Sequence, residues 1–75
     1  MQQTDFIHNN NIRTLKTYPI GVPIEFTIDD GIELGTVTGY SVNQFMEVTV
    51  VVRGLYTGLS CTVHPSNKTR NLHPI

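Results

Sequence analysis

Apolar and polar side chains alternate with a period of two in three segments of the chain, residues 22–29, 45–53 and 59–64. This period places successive side chains on opposite faces of an extended backbone, so each segment predicts a half-buried β-strand. The predicted inward face of the second segment begins with Met46, and that of the third begins with Leu59.

Turn residues separate these segments. Residues 29–31 (Asp-Asp-Gly) predict a two-residue hairpin turn, since an Asp-Gly pair supplies the positive φ angles that such a turn needs. Residues 32–40 then form the return strand, in which Gly35 is predicted to host a β-bulge. Residues 72–75 are predicted as a last short strand.

The segment before these strands has no apolar period. Residues 1–11 are polar, and three consecutive asparagines at residues 9–11 are predicted to end any helical turn that forms there. We therefore expect a flexible N-terminal tail over residues 1–11 and one domain over residues 12–75. About five short strands without a long helix predict an all-β fold, and at this length a small, strongly bent, five-stranded barrel.

Several strand and turn segments carry a family resemblance. Residues 35–40 (Gly-Thr-Val-Thr-Gly-Tyr), 48–52, 62–67 and 72–75 resemble Src-homology-3-like small barrels, including KOW-type and phage modules. The resemblance covers residues 20–75 and implies a Src-homology-3-like barrel. It leaves the function open, because small barrels serve many functions.

A second resemblance involves the first two strands. Residues 22–34, followed by Gln44 and Phe45, look similar to the first motif of the Sm-like family, which includes Hfq-like proteins. This resemblance implies RNA binding at Gln44 and Phe45. The family's amphipathic N-terminal helix is not predicted from residues 1–11.

Composition narrows the class of partner. Five basic and six acidic residues give a net charge of −1, which argues against duplex DNA as a partner and leaves RNA open. Charged residues are only 15% of the chain, so the surface is largely uncharged and polar, which suits a docked protein or self-association. No signal peptide or membrane-spanning segment is predicted, and we expect a cytoplasmic protein.

Catalytic and metal-binding patterns are not predicted. The three histidines have no short metal-ligand spacing. Cys61 and His64 are expected on opposite faces of one strand, which argues against a nucleophile–base pair. We therefore expect no enzyme activity, no bound metal and no cofactor.

The chemistry that favours binding lies in aromatic and cationic side chains. Aromatic residues at the rim of a small barrel can stack on bases or on proline rings, and neighbouring cations can contact phosphates. The predicted binding residues are Tyr18, Tyr40, Phe45, Arg53, Tyr56, His64 and Arg70.

Three functions follow from these observations. The first is a non-enzymatic module for protein–protein interaction, in one form a phage or mobile-element accessory protein that acts on a host partner. The second is an Sm-like binder of RNA or single-stranded nucleic acid. The third is a binder of a small ligand at a subunit interface.

Overall fold

A computed structural model describes residues 3–66 and 68–73, in which one helix precedes a five-stranded antiparallel sheet. The elements are α1 (Gln3–Thr17), β1 (Pro23–Ile28), β2 (Gly31–Val42), β3 (Val48–Gly54), β4 (Ser60–Val63) and β5 (Arg70–Asn71). Residues 1–2 of the predicted tail and residues 74–75 of the predicted last strand lie outside the described residues.

The sheet has five strands, as predicted, but it does not close into a barrel. Its strand order is β4-β3-β2-β1-β5, and within the described residues no backbone pairing joins β4 to β5. Closure fails because β5 is only two residues long and pairs only with Ile24 and Glu25 of β1. The predicted barrel is therefore an open sheet with β4 and β5 at its two edges.

β2 pairs with a different neighbour through each of its halves. Its first half pairs with β1, its second half pairs with β3, and only Gly35 and Thr36 pair on both sides. The bulge predicted at Gly35 is wrong, since the register shifts between Val37 and Gly39 instead. Gly35 permits a close approach: a Cβ there would lie 2.6 Å from the carbonyl oxygen of Arg53.

A small core lies on one face of this sheet. Alternation correctly assigned six of its seven residues, which come from β1, β2, β3 and β4, whereas the seventh, Tyr18, directly follows α1. The buried apolar residues are Tyr18, Ile24, Phe26, Val37, Val50, Val52 and Val63.

The alternation is wrong at several positions. Ile28, expected on the inward face, is exposed, and Thr49, expected on the outward face, is buried. Met46 was expected to point inward, but it lies in the β2–β3 turn with a φ of 64° and is exposed. Leu59 was also expected inward, but it precedes β4 and is exposed. Both residues are exposed because β3 and β4 begin later in the chain than the apolar pattern suggests.

The predicted hairpin turn between β1 and β2 is confirmed in its location, but its two central residues are Asp29 and Asp30 and not the expected Asp-Gly pair. Asp29 and Asp30 have φ angles of 49° and 65°, so the two aspartates adopt the left-handed conformation. Gly31 opens β2 and pairs with Ile28.

Helix α1 replaces much of the predicted tail. It runs through the asparagines at residues 9–11 and crosses the predicted boundary at residue 11, so the expectation that they end a helical turn is wrong. Asparagine has only a weak intrinsic preference against helix, which tertiary contacts override. The helix stops before Pro19, because a proline disfavours helical conformation in the residue before it. Among the described residues no helix is long and apolar enough to cross a membrane.

Replacing Gly35 by alanine should destabilise the fold. The added methyl group would lie 2.6 Å from the Arg53 carbonyl oxygen, and we expect a loss of about 1–3 kcal/mol in the free energy of unfolding. Urea denaturation followed by circular dichroism measures this loss.

The matched control is Gly39→Ala, since no atom lies within 4 Å of a Cβ at that position. We expect its free energy of unfolding to stay within about 0.5 kcal/mol of the wild type or to rise slightly. Equal losses in the two variants would contradict the importance of the close approach at Gly35.

Candidate binding surfaces

Asn11 attaches the helix to the sheet. Its side-chain amide nitrogen donates to the Met46 carbonyl (2.9 Å), and its side-chain oxygen accepts from the Val48 amide (2.8 Å). One side chain therefore satisfies a backbone donor and a backbone acceptor at the start of β3, much as a neighbouring strand would.

Two tyrosines hold the end of the helix. The Tyr40 hydroxyl donates to the Tyr18 carbonyl (2.6 Å), and the Tyr18 hydroxyl donates to the Thr69 carbonyl (3.0 Å). Tyr18 is only 6% exposed, and burial raises the pKa of its phenol. Its predicted place among the surface aromatics is wrong, because its ring completes the core.

A polar cavity lies between α1, the start of β3 and the segment after β4. We call it the helix–sheet cavity; its volume is about 340 Å³. Within it the His64 Nε2 atom is 3.6 Å from the Glu47 Oε1 atom. The side chains that define it are Asn11, Arg13, Thr14, Tyr18, Glu47 and His64.

A second concavity lies at the other end of β3. We call it the distal groove; its volume is about 270 Å³, and its lining is mostly apolar. It opens onto Phe26, which is otherwise buried in the core. The side chains that define it are Phe26, Ile28, Glu33, Leu59, Ser60 and Cys61.

The thiol in the distal groove is not activated. Burial, and to a smaller extent the negative charge of Glu33, raise the pKa of Cys61. A raised pKa keeps the thiol protonated and makes it a poor nucleophile. His64 lines the other cavity, so the structure does not bring these two residues into one site.

The loop from β3 to β4 stands beside the distal groove and is tied down by backbone hydrogen bonds. The Gly54 amide donates to the Leu59 carbonyl (2.9 Å), and the Leu55 amide donates to the Leu34 carbonyl (2.9 Å). The loop exposes large apolar side chains at Leu55, Tyr56 and Leu59. These side chains make the surface of the loop apolar, and the two backbone hydrogen bonds fix the conformation of the loop.

The seven predicted binding residues do not converge on one site. Tyr18 and His64 line the helix–sheet cavity, and Tyr40 is linked to it through its hydrogen bond to Tyr18. Phe45 is exposed in the turn between β2 and β3.

The other three lie elsewhere. Arg53, at the end of β3, donates from Nε to the Gly58 carbonyl (3.2 Å), and Tyr56 is exposed in the same loop. Arg70 lies on β5, where its guanidinium is 3.1 Å from the Glu25 carboxylate. The first two flank the distal end, whereas Arg70 belongs to the opposite edge of the sheet.

Sequence reasoning missed the residues that shape both concavities. Asn11 looked like a helix terminator, and Glu47 looked like an outward strand residue. Ile28 and Leu59 looked like ordinary core positions in an alternating pattern. For Glu47, Ile28 and Leu59, the neighbouring turn residues are the only sequence signal that these side chains lie at the rim of the core.

Metal chemistry has no support in the described parts of the chain. Within residues 3–66 and 68–73, no group of three or more His, Cys, Asp or Glu side chains could hold a metal ion. The two concavities offer different kinds of contact to a ligand. The distal groove offers apolar contact, and the helix–sheet cavity offers hydrogen bonds.

No family model, curated protein or solved structure matches this chain.

Replacing Asn11 by alanine should loosen the helix from the sheet. Both of its hydrogen bonds to β3 and the preceding turn are lost, so we expect about 1–3 kcal/mol less stability. Hydrogen exchange should accelerate at the Val48 amide, which loses its acceptor. The control is Asn9→Ala, at an exposed position in the same helix, which shares the change in helix propensity. Equal exchange at Val48 in both variants would show that Asn11 does not hold the helix.

Proposed function

We propose that this chain is a non-enzymatic binding module that works through contacts with protein chains. The observation that carries this proposal is the apolar end of the sheet, where the distal groove is flanked by exposed Leu55, Tyr56 and Leu59. Large exposed apolar patches on small proteins mark interaction sites, because water contact with them is unfavourable.

The balance between buried and exposed apolar residues supports this proposal. Seven apolar residues form the core, whereas thirteen large apolar side chains in the described residues are exposed. Single exposed apolar residues are normal, but Leu55, Tyr56 and Leu59 lie together in one loop at the distal groove.

The open sheet adds a second means of binding. Among the described residues β4 pairs with β3 alone, which leaves the outer edge of residues 60–63 open to another strand. Edge strands can accept an extended segment through backbone hydrogen bonds, while side-chain pockets supply specificity. The distal groove, which is lined by Ser60 and Cys61 of β4, is such a pocket.

The finer assignment of the fold belongs to the same proposal. The resemblance of residues 35–40 and 48–52 favours a relationship to the Src-homology-3-like folds, with the sheet open between β4 and β5 in the described residues. A role as a phage or mobile-element accessory protein that acts on a host partner fits a module of this size and near-neutral charge.

A photocrosslinking amino acid in place of Tyr56 should capture a protein partner. Tyr56 is 81% exposed beside the distal groove, so a benzophenone side chain there should form discrete protein adducts on irradiation in cells that express the chain. Excess wild-type chain should compete for these adducts, and a Leu59→Lys variant should compete poorly.

The matched control places the same photocrosslinker at Phe45, an exposed aromatic position in the β2–β3 turn. It should not give the same adducts. If position 56 yields no protein adducts that the wild-type chain competes away, the protein-binding proposal is wrong.

A second candidate function is the binding of RNA or single-stranded nucleic acid. The observation that favours it is helix α1, because the Sm-like resemblance of residues 22–34 calls for a helix before the first strand. Exposed Phe45, next to Gln44, supplies an aromatic ring on which a base could stack.

This second function predicts salt-dependent binding of short RNA. Fluorescence anisotropy with a labelled oligonucleotide should show affinity that falls as salt rises. Phe45→Ala should weaken binding about 5- to 150-fold, since a base stacked on an aromatic ring contributes about 1–3 kcal/mol. Tyr56→Ala is the control and should bind as the wild type does. Affinity that is absent, or equal in both variants, would exclude RNA binding at Phe45.

A further inference from the structure

We propose that the distal groove is the interface of a symmetric dimer, in which a second copy of the chain covers it. This inference rests on the proposed protein-binding function and names the partner. The argument uses the exposed area of the chain, the lining of the groove and the side chains beside it.

The chain exposes more surface than a monomer of its size should. Its accessible surface is 5487 Å², and its mass is 8.4 kDa. Folded monomers of this mass expose about 4,600 Å². The excess of about 900 Å² is close to the roughly 800 Å² that each partner contributes to a standard protein interface.

The shape of the chain agrees with this excess. Its radius of gyration is 12.4 Å, whereas a compact domain of 75 residues has about 11.4 Å. Part of the surface that a compact monomer would bury is therefore left open.

The distal groove is where the core itself reaches the surface. Phe26 is a core residue that also lines the groove, and Ile28 and Leu59 extend the apolar lining outward. The helix–sheet cavity is lined mainly by polar side chains, of which Asn11 and Tyr18 hydrogen-bond to the backbone. Of the thirteen exposed large apolar residues, four belong to this groove and the loop beside it: Ile28, Leu55, Tyr56 and Leu59.

The same end of the molecule carries both a groove and the side chains that could fill one. Leu55, Tyr56 and Leu59 are exposed beside the groove, on a loop held by the Gly54–Leu59 and Leu55–Leu34 backbone hydrogen bonds. A patch that contains both shapes is self-complementary, and a self-complementary patch produces a two-fold interface.

Charge and backbone pairing are compatible with this arrangement. The net charge of −1 gives two copies little mutual repulsion. The open edge of β4 can pair in antiparallel fashion with the β4 of the second copy.

The test is the mass of the full chain in solution, measured by light scattering and sedimentation over a range of concentrations. We expect the wild type to have twice the chain mass of 8.4 kDa. Leu59→Lys should have the mass of a single chain, with a dissociation constant raised at least about tenfold. Leu59 is 72% exposed, so the substitution leaves the core intact, and circular dichroism checks the fold.

The matched control is Ile20→Lys, which makes a similar apolar-to-cation change at an exposed position (62%) outside the groove. This variant should remain dimeric. A wild-type mass of one chain at every concentration, or of three or more chains, would overturn the symmetric dimer. Retention of the dimer in Leu59→Lys would also overturn it.

Cys61 gives a second readout, because its thiol lines the groove that the second copy covers. Its rate of alkylation by iodoacetamide, at fixed pH, should fall as the wild-type concentration rises and should not change with concentration in Leu59→Lys. A rate independent of concentration in the wild type would count against the interface.

The photocrosslinking experiment at Tyr56 separates this inference from the function on which it rests. Adducts with the mass of two chains support the dimer. Competed adducts with another protein, together with a monomeric wild type, would overturn the dimer and leave the protein-binding function standing. The absence of any competed protein adduct would show that the dimer and the protein-binding function are both wrong.

Discussion

The shape of the molecule depends on the pairing of β2, because one half of this strand pairs with β1 and the other half pairs with β3. Only Gly35 and Thr36 pair on both sides. A Cβ at Gly35 would lie 2.6 Å from the Arg53 carbonyl oxygen and 3.4 Å from the Phe26 ring. The absence of a side chain there lets β3 and the Phe26 ring approach the β2 backbone closely. The core joins side chains of β1, β2, β3 and β4, so it depends on β2 pairing on both sides.

A core of this size cannot include all the apolar residues of the chain. The surroundings of the two ends of β3 also differ. At one end α1 contacts β3, where the Asn11 side chain makes two hydrogen bonds, which are directional and contribute modestly. At the other end Leu59 is exposed, and the lining of the distal groove is mostly apolar. Apolar burial is the stronger and less directional force, so the distal groove is better suited to association and the helix–sheet cavity to selective polar contact.

The prediction from sequence was most accurate where local pattern and tertiary environment agree. Ile24 in β1 and Val50 and Val52 in β3 were assigned inward from alternation alone, and all three are buried. The pattern was wrong at Met46 and Leu59, because alternation describes which residues share a face and not where a strand begins. The prediction of the binding site failed for a related reason. The seven predicted binding residues have similar chemistry, but they lie on different elements. The distances between them depend on how β2 pairs with its neighbours.

The amino-acid sequence by itself determined that the chain forms short antiparallel strands, with a tight turn at Asp29 and Asp30 and a valine-rich central strand. These are local properties, since the period of two and the turn preference act between residues that are near each other in the chain. The tertiary structure alone decided that the sheet stays open, that Gly35 marks a close approach and that an asparagine-rich segment is helical. Each of these depends on residues far apart in sequence, such as Asn11 and the Val48 amide, which no local pattern relates.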